Sequence, residues 1–549
     1  MPLPGRVVAE AGGVSNVEKY GEWGHMKIGN GIAFAAIALF AMASQAVALT
    51  TTRQAVLSHD DAKLGSVYVR CDGYPPHRSG ADIAARVVLI MATAGLAGPG
   101  EMADTKKRLT GAEGVAACDA AIASETDPIR KVQLTLARVV HDVETKNYEA
   151  ALADARGAPV LAGAGANELG FRHSLMLSSL ELEAASLVRL NRPAEAEAVA
   201  LRMAATSPYD LLAQQLAARY VGLTANMSPE KKEYLDRYAR ISPTGLFMHA
   251  EASEWAGNFL ESAADYEAYL EIVKGFATEK DPATPLPAVE ARRAVALALG
   301  GDMKQSNAVA AEARNTVDDL IRTGKSLNMQ NAISVAEELL DFQAIAAKLD
   351  AGDVAQARTA FAGRSRWLAP TPAAIAELTA RLSKGAKPGE LTGALLRDPA
   401  EIRTSGLTAR LGSITGATDA DANLYSAIRR PVSVDEYKFW NDDIRDTKDS
   451  DFLLKKTGKE PYLGDAIYMK RANGIAAGDA LLMHCAFLAR ARGVTGFVIF
   501  PSRKRLELAI VRFGNPGDPG FPARAFVDSA TIITALSSEF PAEVPPKAH

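Results

Sequence analysis

The sequence is poor in cysteine, in aromatic residues and in net charge, and each shortage narrows the choice of fold and function. Three cysteines in 549 residues are too few for a disulfide scaffold, and their spacing matches no metal site. Aromatic residues amount to 6% of the chain, which suits helix-on-helix packing better than a β-sandwich. The formal net charge of −4 gives no reason to expect a nucleic-acid partner.

Long hydrophobic runs are also lacking. The apolar stretch from Ile32 to Ala43 spans about a dozen residues, which is short for a transmembrane helix. It follows the basic start Met26-Lys27 and precedes Ala46-Val47-Ala48, a motif typical of signal-peptidase sites. We therefore predict a signal peptide over residues 26–48, cleavage after Ala48, and a periplasmic protein with no stable membrane span. An uncleaved signal anchor is the alternative, and residues 1–25 are interpreted as unstructured or as preceding the true translation start.

Alanine-rich amphipathic helices dominate the chain between residues 110 and 384. A local motif recurs there: a turn-forming or polar residue, then a helix start, with a small residue five positions after the first. The motifs are spaced by roughly 45 to 50 residues, with one longer gap. The five instances are Lys146-Asn147-Tyr148 with Ala151, Asn191-Arg192-Pro193 with Ala196, Gly257-Asn258-Phe259 with Ser262, Gly301-Asp302-Met303 with Ser306, and Gly352-Asp353-Val354 with Ala357.

Each part of this motif has a physical role. Glycine or asparagine lets the chain reverse between two helices, and the small residue lets those helices approach closely. A later proline, such as Pro159, Pro208 or Pro370, is expected to stop the second helix. On these residues the chain resembles tetratricopeptide-repeat (TPR-like) proteins with degenerate, irregularly spaced units. The resemblance implies a mostly α-helical chain, folded as an α-solenoid of helical hairpins that binds proteins or peptides.

In the segment before the array, residues 49–109, residues 66–70 could form a short strand. Thr110 with Glu113 predicts a capping box at the first helix of the array. Later helix starts are predicted at Asp127-Pro128 and Ser228-Pro229, where a capping residue precedes a proline.

The segments after the array change in character. Residues 385–430 are interrupted by glycine and predict a linker with one or two short helices. Residues 431–541 predict a small α+β domain, in which an apolar helix ends at Gly493. Its expected strands cover residues 466–469, 496–500, 506–513 and 525–527, and a last helix covers residues 528–536.

The three cysteines leave one question about pairing open. In an oxidising compartment one disulfide is possible, and Cys71 with Cys118 is the favoured pair. The alternative is that no disulfide forms. Cys485 lies in an apolar helical run and is interpreted as a small core residue.

No catalytic, cofactor-binding or metal-binding residues are predicted. Cys71 with His77 suggests a nucleophile and a base, but a turn with two prolines separates them, which favours a structural role. Asp419, Asp421 and Asn423 begin like a calcium loop, whose required glycine and glutamate are replaced. The histidines are scattered, with no H-x-x-x-H pair, so a zinc site is not expected.

Two charged clusters are interpreted as solvated surface, with binding sites as the alternatives. The acidic run near Trp440 could attract a cation or a partner, and the basic cluster could attract an anionic partner. The acidic residues are Asp442, Asp443, Asp446, Asp449 and Asp451, and the basic ones are Arg490, Arg492, Arg503, Lys504 and Arg505.

These observations predict an exported helical-repeat scaffold, not an enzyme, that binds a protein or peptide partner in the cell envelope. The alternative is an envelope hydrolase or glycan-acting enzyme whose catalytic unit is the C-terminal α+β domain. That alternative depends on convergent acid, base or nucleophile groups, for which the domain offers His484, Cys485 and loop aspartates.

Overall fold

The computed structural model describes residues 65–76, 102–276, 285–324, 329–387, 389–415, 422–430, 444, 465–468, 476–501 and 508–540. The described residues all belong to one compact unit, formed by Leu64–His77 and Glu101–His549. This unit is mostly helical, as predicted, with a small sheet towards its C-terminal end. The predicted signal peptide and residues 1–25 lie outside the described residues.

Eighteen α-helices of six or more residues are numbered here in chain order over the described residues. They are α1 (Val67–Asp72), α2 (Gly111–Ser124), α3 (Pro128–Glu144), α4 (Tyr148–Leu161), α5 (Leu177–Arg189), α6 (Pro193–Thr206), α7 (Leu211–Ala218), α8 (Pro229–Ile241), α9 (Pro243–Trp255), α10 (Phe259–Gly275), α11 (Pro287–Gly300), α12 (Met303–Arg322), α13 (Gln330–Asp350), α14 (Val354–Ala362), α15 (Pro372–Ser383), α16 (Pro399–Thr415), α17 (Ala476–Ala491) and α18 (Ser529–Leu536). Among the described residues, no helix is both long and apolar enough to cross a membrane.

All five sequence motifs lie at turns between consecutive helices, and the turns share one hydrogen-bond pattern. The first residue of each motif has a φ between 56° and 89°. Its N–H donates to the carbonyl three residues earlier, and the next N–H donates to the carbonyl five residues earlier. This is the Schellman arrangement, which satisfies carbonyls left open at a helix end. Because a left-handed φ strains most side chains, glycine or asparagine at four of the five positions is the chemistry that the turn requires.

The small residue of each motif is buried, with no exposed surface: Ala151, Ala196, Ser262, Ser306 and Ala357. The serines also satisfy their hydroxyls; the Ser306 hydroxyl, for example, donates to a main-chain carbonyl of α11 at 2.7 Å. The expected role of the prolines is only partly met. α6 ends before Pro208, but Pro159 lies inside α4, so the prediction that it stops this helix is wrong.

The chain before the array forms a helix, α1, at the residues for which the sequence suggests a short strand. Its side chains at Val69, Cys71 and Asp72 are buried, a spacing that both a helix turn and a short strand can produce. A disulfide joins Cys71 on α1 to Cys118 on α2, which is the favoured pairing. Cys485 is buried, as expected for a core residue.

The predicted capping box at Thr110 is wrong. The Thr110 side chain makes no capping hydrogen bond, and the Gly111 N–H donates to the Glu144 carboxylate of α3 at 2.7 Å. A side chain from the neighbouring helix therefore satisfies one of the free N–H groups at the start of α2. The two proline-led starts are confirmed, because Asp127 and Ser228 accept hydrogen bonds from main-chain N–H groups of α3 and α8.

The sheet has four strands in the order β1-β3-β2-β4, and each neighbouring pair is antiparallel. The strands are β1 (Asp465–Tyr468), β2 (Gly496–Pro501), β3 (Leu508–Gly514) and β4 (Val527–Asp528). A 3₁₀ turn, Ala523–Ala525, precedes β4, so the strand expected at residues 525–527 begins later and is shorter. α18 follows at once, with Asp528 as its capping residue.

The sheet shares hydrophobic core with the helices. Val498 of β2 and the aromatic rings of Phe521 and Phe526 pack in one buried cluster with Leu246 of α9 and Ile272 of α10. Burial of such side chains contributes about 1.5–3 kcal/mol each. The sheet is therefore held on the array by apolar contact.

The segment predicted as a linker contains α16, a helix of 17 residues, longer than the one or two short helices expected. α16 packs against α15, and its Arg410 guanidinium donates to the Val221 carbonyl at 2.8 Å and pairs with Glu251 at 3.1 Å. The division into array, linker and α+β domain stays a prediction.

Candidate functional site

Most candidate groups from the sequence are not assembled into a site. Cys71 is in the disulfide, which agrees with the structural role predicted for it and not with a free nucleophile, and His77 lies outside the described residues. Asp419, Asp421 and the acidic run from Asp442 to Asp451 also lie outside them. The side chain of Asn423 and the residue Trp440 belong to the same undescribed part.

In the C-terminal region, His484 and Cys485 are buried within α17, and His484 Nδ1 lies 3.0 Å from the Ile444 carbonyl oxygen. Arg490 and Arg492 are exposed at the end of this helix, where the Arg492 guanidinium stacks 4.3 Å from the centre of the Phe513 ring. The other members of the basic cluster, Arg503, Lys504 and Arg505, lie outside the described residues.

The first candidate site is an open cleft of about 510 Å³ where the array meets the sheet. We call it the cleft. Helices α10, α11 and α12 form one side, and β3 with the loop after it forms the other. Its lining residues are Glu267, Leu270, Glu271, Lys274, Gly275, Glu290, Arg293, Val309, Glu312, Arg512, Pro519 and Gly520.

Charges of both signs line the cleft and are held by neighbouring groups. Arg293 donates to Glu267 at 2.6 Å, so this pair is neutral overall. Glu271 accepts a hydrogen bond from the Gly520 N–H at 3.0 Å, and Glu290 accepts one from the Thr316 hydroxyl at 3.0 Å. Such contacts limit the conformations of these carboxylates and keep them directed at the cleft.

Arg512 fixes the opposite wall. Its guanidinium lies over two aromatic rings, 4.8 Å from the centre of Phe521 and 5.7 Å from that of Phe276. A side chain at Gly275 or Gly520 would collide with its Nη1, so both glycines are needed for this close approach. Burial lowers the pKa of Arg512 from its usual value, although an arginine remains charged at neutral pH.

The second candidate site is a buried group of four titratable residues from distant parts of the chain, which we call the His173 cluster: His173, Asp210, Asp479 and Glu539. His173 lies in a five-residue π-helical segment, Arg172–Met176, directly before α5. Such segments are rare and frequently lie at functional sites. Asp210 caps α7, Asp479 is in the first turn of α17, and Glu539 follows α18.

The imidazole of His173 lies between the carboxylates. Its Nδ1 is 3.1 Å from Asp210 and 3.6 Å from Asp479, and its Nε2 is 3.3 Å from Glu539. The side chains of His173, Asp210 and Asp479 have no exposed surface, and that of Glu539 is 11% exposed. The Ser207 hydroxyl lies 3.4 Å from Nε2.

Burial and mutual charge shift the proton affinities of this cluster. Burial alone would lower the pKa of His173, but the hydrogen bonds to Asp210 and Glu539 and the charge of Asp479 raise it to about 10. Burial raises the pKa of Asp479 well above its usual range, and the charge of Asp210 adds to this shift.

Chemically, the cluster can hold a cation or share a proton. Ligand atoms of His173, Asp479 and Glu539 all lie within 4.8 Å of one another, which is close enough to surround one metal ion. A substrate would have to reach groups that are almost completely buried. The arrangement therefore fits a structural site better than a catalytic one.

Sequence reasoning missed the His173 cluster because its members are 37 to 366 residues apart in the chain. No local spacing connects them. One signal was available in the sequence. Asp479 is a lone carboxylate at the start of a predicted helix, directly before the apolar run Ala480-Leu481-Leu482-Met483. A buried acid in such a run needs a partner.

Comparison with known proteins adds no relative. No protein-family model matches the chain, no curated protein is similar to it in sequence, and no solved structure matches its fold.

Proposed function

We propose that this chain is an exported, TPR-like helical-repeat scaffold that binds a protein or peptide partner in the cell envelope, and that the cleft receives the partner. The observation that carries this proposal is the cleft itself. It is open, it is lined from consecutive helices of the array, and five of its seven charged side chains are held in place by neighbours.

Two further features support the scaffold. The five repeated turns with their buried small residues support a series of helix pairs that stack by one rule, as in an α-solenoid. The Cys71–Cys118 disulfide supports export, because such bonds persist in oxidising compartments such as the periplasm.

The charges of the cleft favour a partner segment with groups of both signs. Glu290 and Glu312 lie on the array side and suit a basic side chain of the partner. Lys274 and Arg512 suit an acidic side chain or main-chain carbonyl groups. An extended peptide segment offers both within a few residues.

The enzyme alternative has one observation in its favour, the gathering of titratable groups around Asp479. Burial argues against catalysis by this group, because the side chains of His173, Asp210 and Asp479 have no exposed surface. Catalysis on an external substrate needs groups within hydrogen-bond reach of it.

The test is site-specific crosslinking in the full chain. Removing the C-terminal region would expose core residues such as Leu246 and Ile272, so truncation is unsuitable. A photoreactive amino acid in place of Glu312, in the cleft, is compared with one in place of Thr404, exposed on α16. We expect one discrete envelope protein to crosslink at Glu312 and not at Thr404.

The captured protein is then purified, and its affinity for the wild type is compared with that for the double variant Glu290→Gln/Glu312→Gln. We expect the dissociation constant to rise about tenfold, because two charge contacts are lost. Equal crosslinking at both positions, or an unchanged dissociation constant, would overturn the assignment of the cleft.

A further inference from the structure

We propose that His173, Asp479 and Glu539 bind one divalent transition-metal ion, with Zn²⁺ as the first candidate, and that this ion fastens the C-terminal elements to the helical array. The proposal is independent of the cleft and of any partner. It assigns to the His173 cluster a structural task.

The first argument is the orientation of the imidazole. Asp210 Oδ1 accepts hydrogen bonds from the Leu212 and Ala213 N–H groups at the start of α7, at 2.8 and 3.2 Å. This fixes its other oxygen, Oδ2, 3.1 Å from His173 Nδ1. A histidine whose Nδ1–H donates to a carboxylate presents Nε2 as a lone-pair donor, which is the usual arrangement behind a metal-binding histidine.

The second argument is a set of buried acceptors that lack hydrogen-bond donors. Both carboxylate oxygens of Asp479 and Oε2 of Glu539 are buried and have no hydrogen-bond partner in the described part of the chain. Asp479 as a whole has no exposed surface. Leaving such groups unsatisfied destabilises the folded state, and it does so more strongly when the groups are charged. A metal ion would accept electron pairs from these same oxygens.

The third argument is charge. Three carboxylates surround one imidazole, and among the described residues no lysine or arginine lies within ion-pair distance of any of the three. Ionised carboxylates in such a place need a compensating cation or must take up a proton. A divalent ion with a neutral His173 brings the charge of the cluster close to balance.

The chemistry of the ligands points to the kind of ion. One imidazole nitrogen with two carboxylate oxygens suits Zn²⁺ and related transition metals better than Ca²⁺, which prefers six to eight oxygens. The Ser207 hydroxyl, 3.4 Å from His173 Nε2, is placed to fill the fourth position directly or through a water molecule. The ion would connect residues that lie up to 366 positions apart in the chain.

The competing occupant is a proton shared between Asp479 and Glu539. It also relieves the charge, but it predicts different behaviour. A shared proton makes no demand for metal, and replacing one carboxyl by an amide would preserve or improve stability in every buffer. Metal binding predicts that the same replacement abolishes a metal-dependent gain in stability.

The experiment measures metal content and thermal unfolding of the full chain. The protein is stripped with a chelator, loaded with Zn²⁺ or Co²⁺, freed of excess metal and analysed by elemental mass spectrometry. The variants are Asp479→Asn and, should that one fold poorly by circular dichroism, Glu539→Gln. Asp265→Asn is the matched control, because Asp265 is equally buried and also contacts a histidine, His249.

We expect one tightly held ion per wild-type chain and per control chain, visible absorption bands from Co²⁺, and a melting temperature a few degrees higher with Zn²⁺ than with chelator. Asp479→Asn and Glu539→Gln should lose the ion, the bands and the Zn²⁺-dependent shift. Absence of bound metal in the wild type would overturn the proposal, as would equal metal content in wild type and both ligand variants.

Discussion

His173 and His249 are both buried between carboxylates, and the two histidines differ in how the negative charge around them is balanced. His249 Nδ1 lies 2.7 Å from Asp265 and its Nε2 lies 3.2 Å from Asp236. Burial alone would lower the pKa of His249, but these two carboxylates raise it to about 9. In this respect it resembles His173.

Basic side chains complete the surroundings of His249. Arg524 pairs with Asp265 at 2.7 Å, and Lys232 pairs with Asp236 at 3.1 Å and with Glu261 at 3.2 Å. Three carboxylates there face two basic side chains and one imidazolium, so the charges cancel within the protein. We call this group the His249 cluster: His249, Asp236, Glu261, Asp265, Lys232 and Arg524.

A buried histidine between acids therefore does not by itself indicate a ligand site. The His249 cluster is explained by its own residues and also ties Arg524, from the C-terminal region, to α10. The His173 cluster leaves carboxylate oxygens without donors. Substitutions in the two clusters, and changes of pH and salt, test this difference in charge balance.

The largest contrast is expected between two identical substitutions in metal-free protein. Asp265→Asn should lower the free energy of unfolding by about 3 kcal/mol, because it removes the carboxylate that His249 and Arg524 share. Asp479→Asn should change it by less than about 1 kcal/mol, because relief of repulsion from Asp210 and Glu539 offsets the lost attraction to His173. Urea unfolding at pH 7 with chelator measures both, and equal losses would erase the distinction.

The second prediction concerns pH and His249, whose charge faces Asp236, Glu261, Asp265, Lys232 and Arg524. A pKa raised to about 9 means that the folded state holds the proton more tightly than the unfolded chain. The stabilisation is then complete below about pH 6.5 and is lost as the pH rises through about 9.

The difference in unfolding free energy between wild type and His249→Gln should therefore shrink by about 3 kcal/mol between pH 6 and pH 10. Taking this difference removes contributions from groups that do not interact with His249, such as His173. At the acidic end, Asp236 has its pKa lowered to about 2; burial opposes this shift, and hydrogen bonds from His249 and Lys232 outweigh it. Its contribution is present above about pH 4 and lost as the pH falls through about 2. Parallel profiles of unfolding free energy against pH for the wild type and His249→Gln would contradict the raised pKa of His249.

The third prediction isolates the role of Arg524. Arg524→Met should lower the free energy of unfolding by about 2 kcal/mol, because Asp265 is 1% exposed and, among the described residues, would keep His249 as its one charged partner. The expected loss is smaller than for Asp265→Asn because Arg524 itself is 36% exposed. Arg322→Met, which breaks an exposed pair with Asp319, is the control and should cost less than about 1 kcal/mol. Chemical denaturation compares the two, and a similar small loss for both would show that Asp265 is better solvated than its burial suggests.

Features that depend on residues close together in the chain could be predicted from the sequence, and features that depend on distant residues could not. The helices of the array and their turns were predictable because the chemistry is local: a left-handed residue and a small residue five positions apart specify each turn. The capping box predicted at Thr110 does not form, and Glu144, on the next helix, accepts the Gly111 N–H at the same helix start. Residues 66–70 were too few to distinguish a helix period from a strand period.

Neither histidine cluster could be predicted from spacing. Asp210 is 37 residues from His173, and Arg524 is 259 residues from Asp265. Packing between helices of the array brings Asp210 to His173, and packing of the C-terminal elements against the array adds Asp479 and Glu539 to one cluster and Arg524 to the other. The cleft has the same origin, because Arg512 and Gly520 reach it from the sheet side.

The smallest effect is expected for Lys232→Met. Lys232 pairs with Asp236 and Glu261, but its side chain is 47% exposed, so water and salt screen its charge. We expect a loss of about 0.5 kcal/mol at low salt that disappears at about 1 M salt, where the screening length falls to about 3 Å. The loss for Asp265→Asn should persist in the same salt, because that residue is buried. A salt-independent loss at Lys232 would show that its charge is shielded from solvent, and the charge balance around His249 would then depend on Lys232 as strongly as on Arg524.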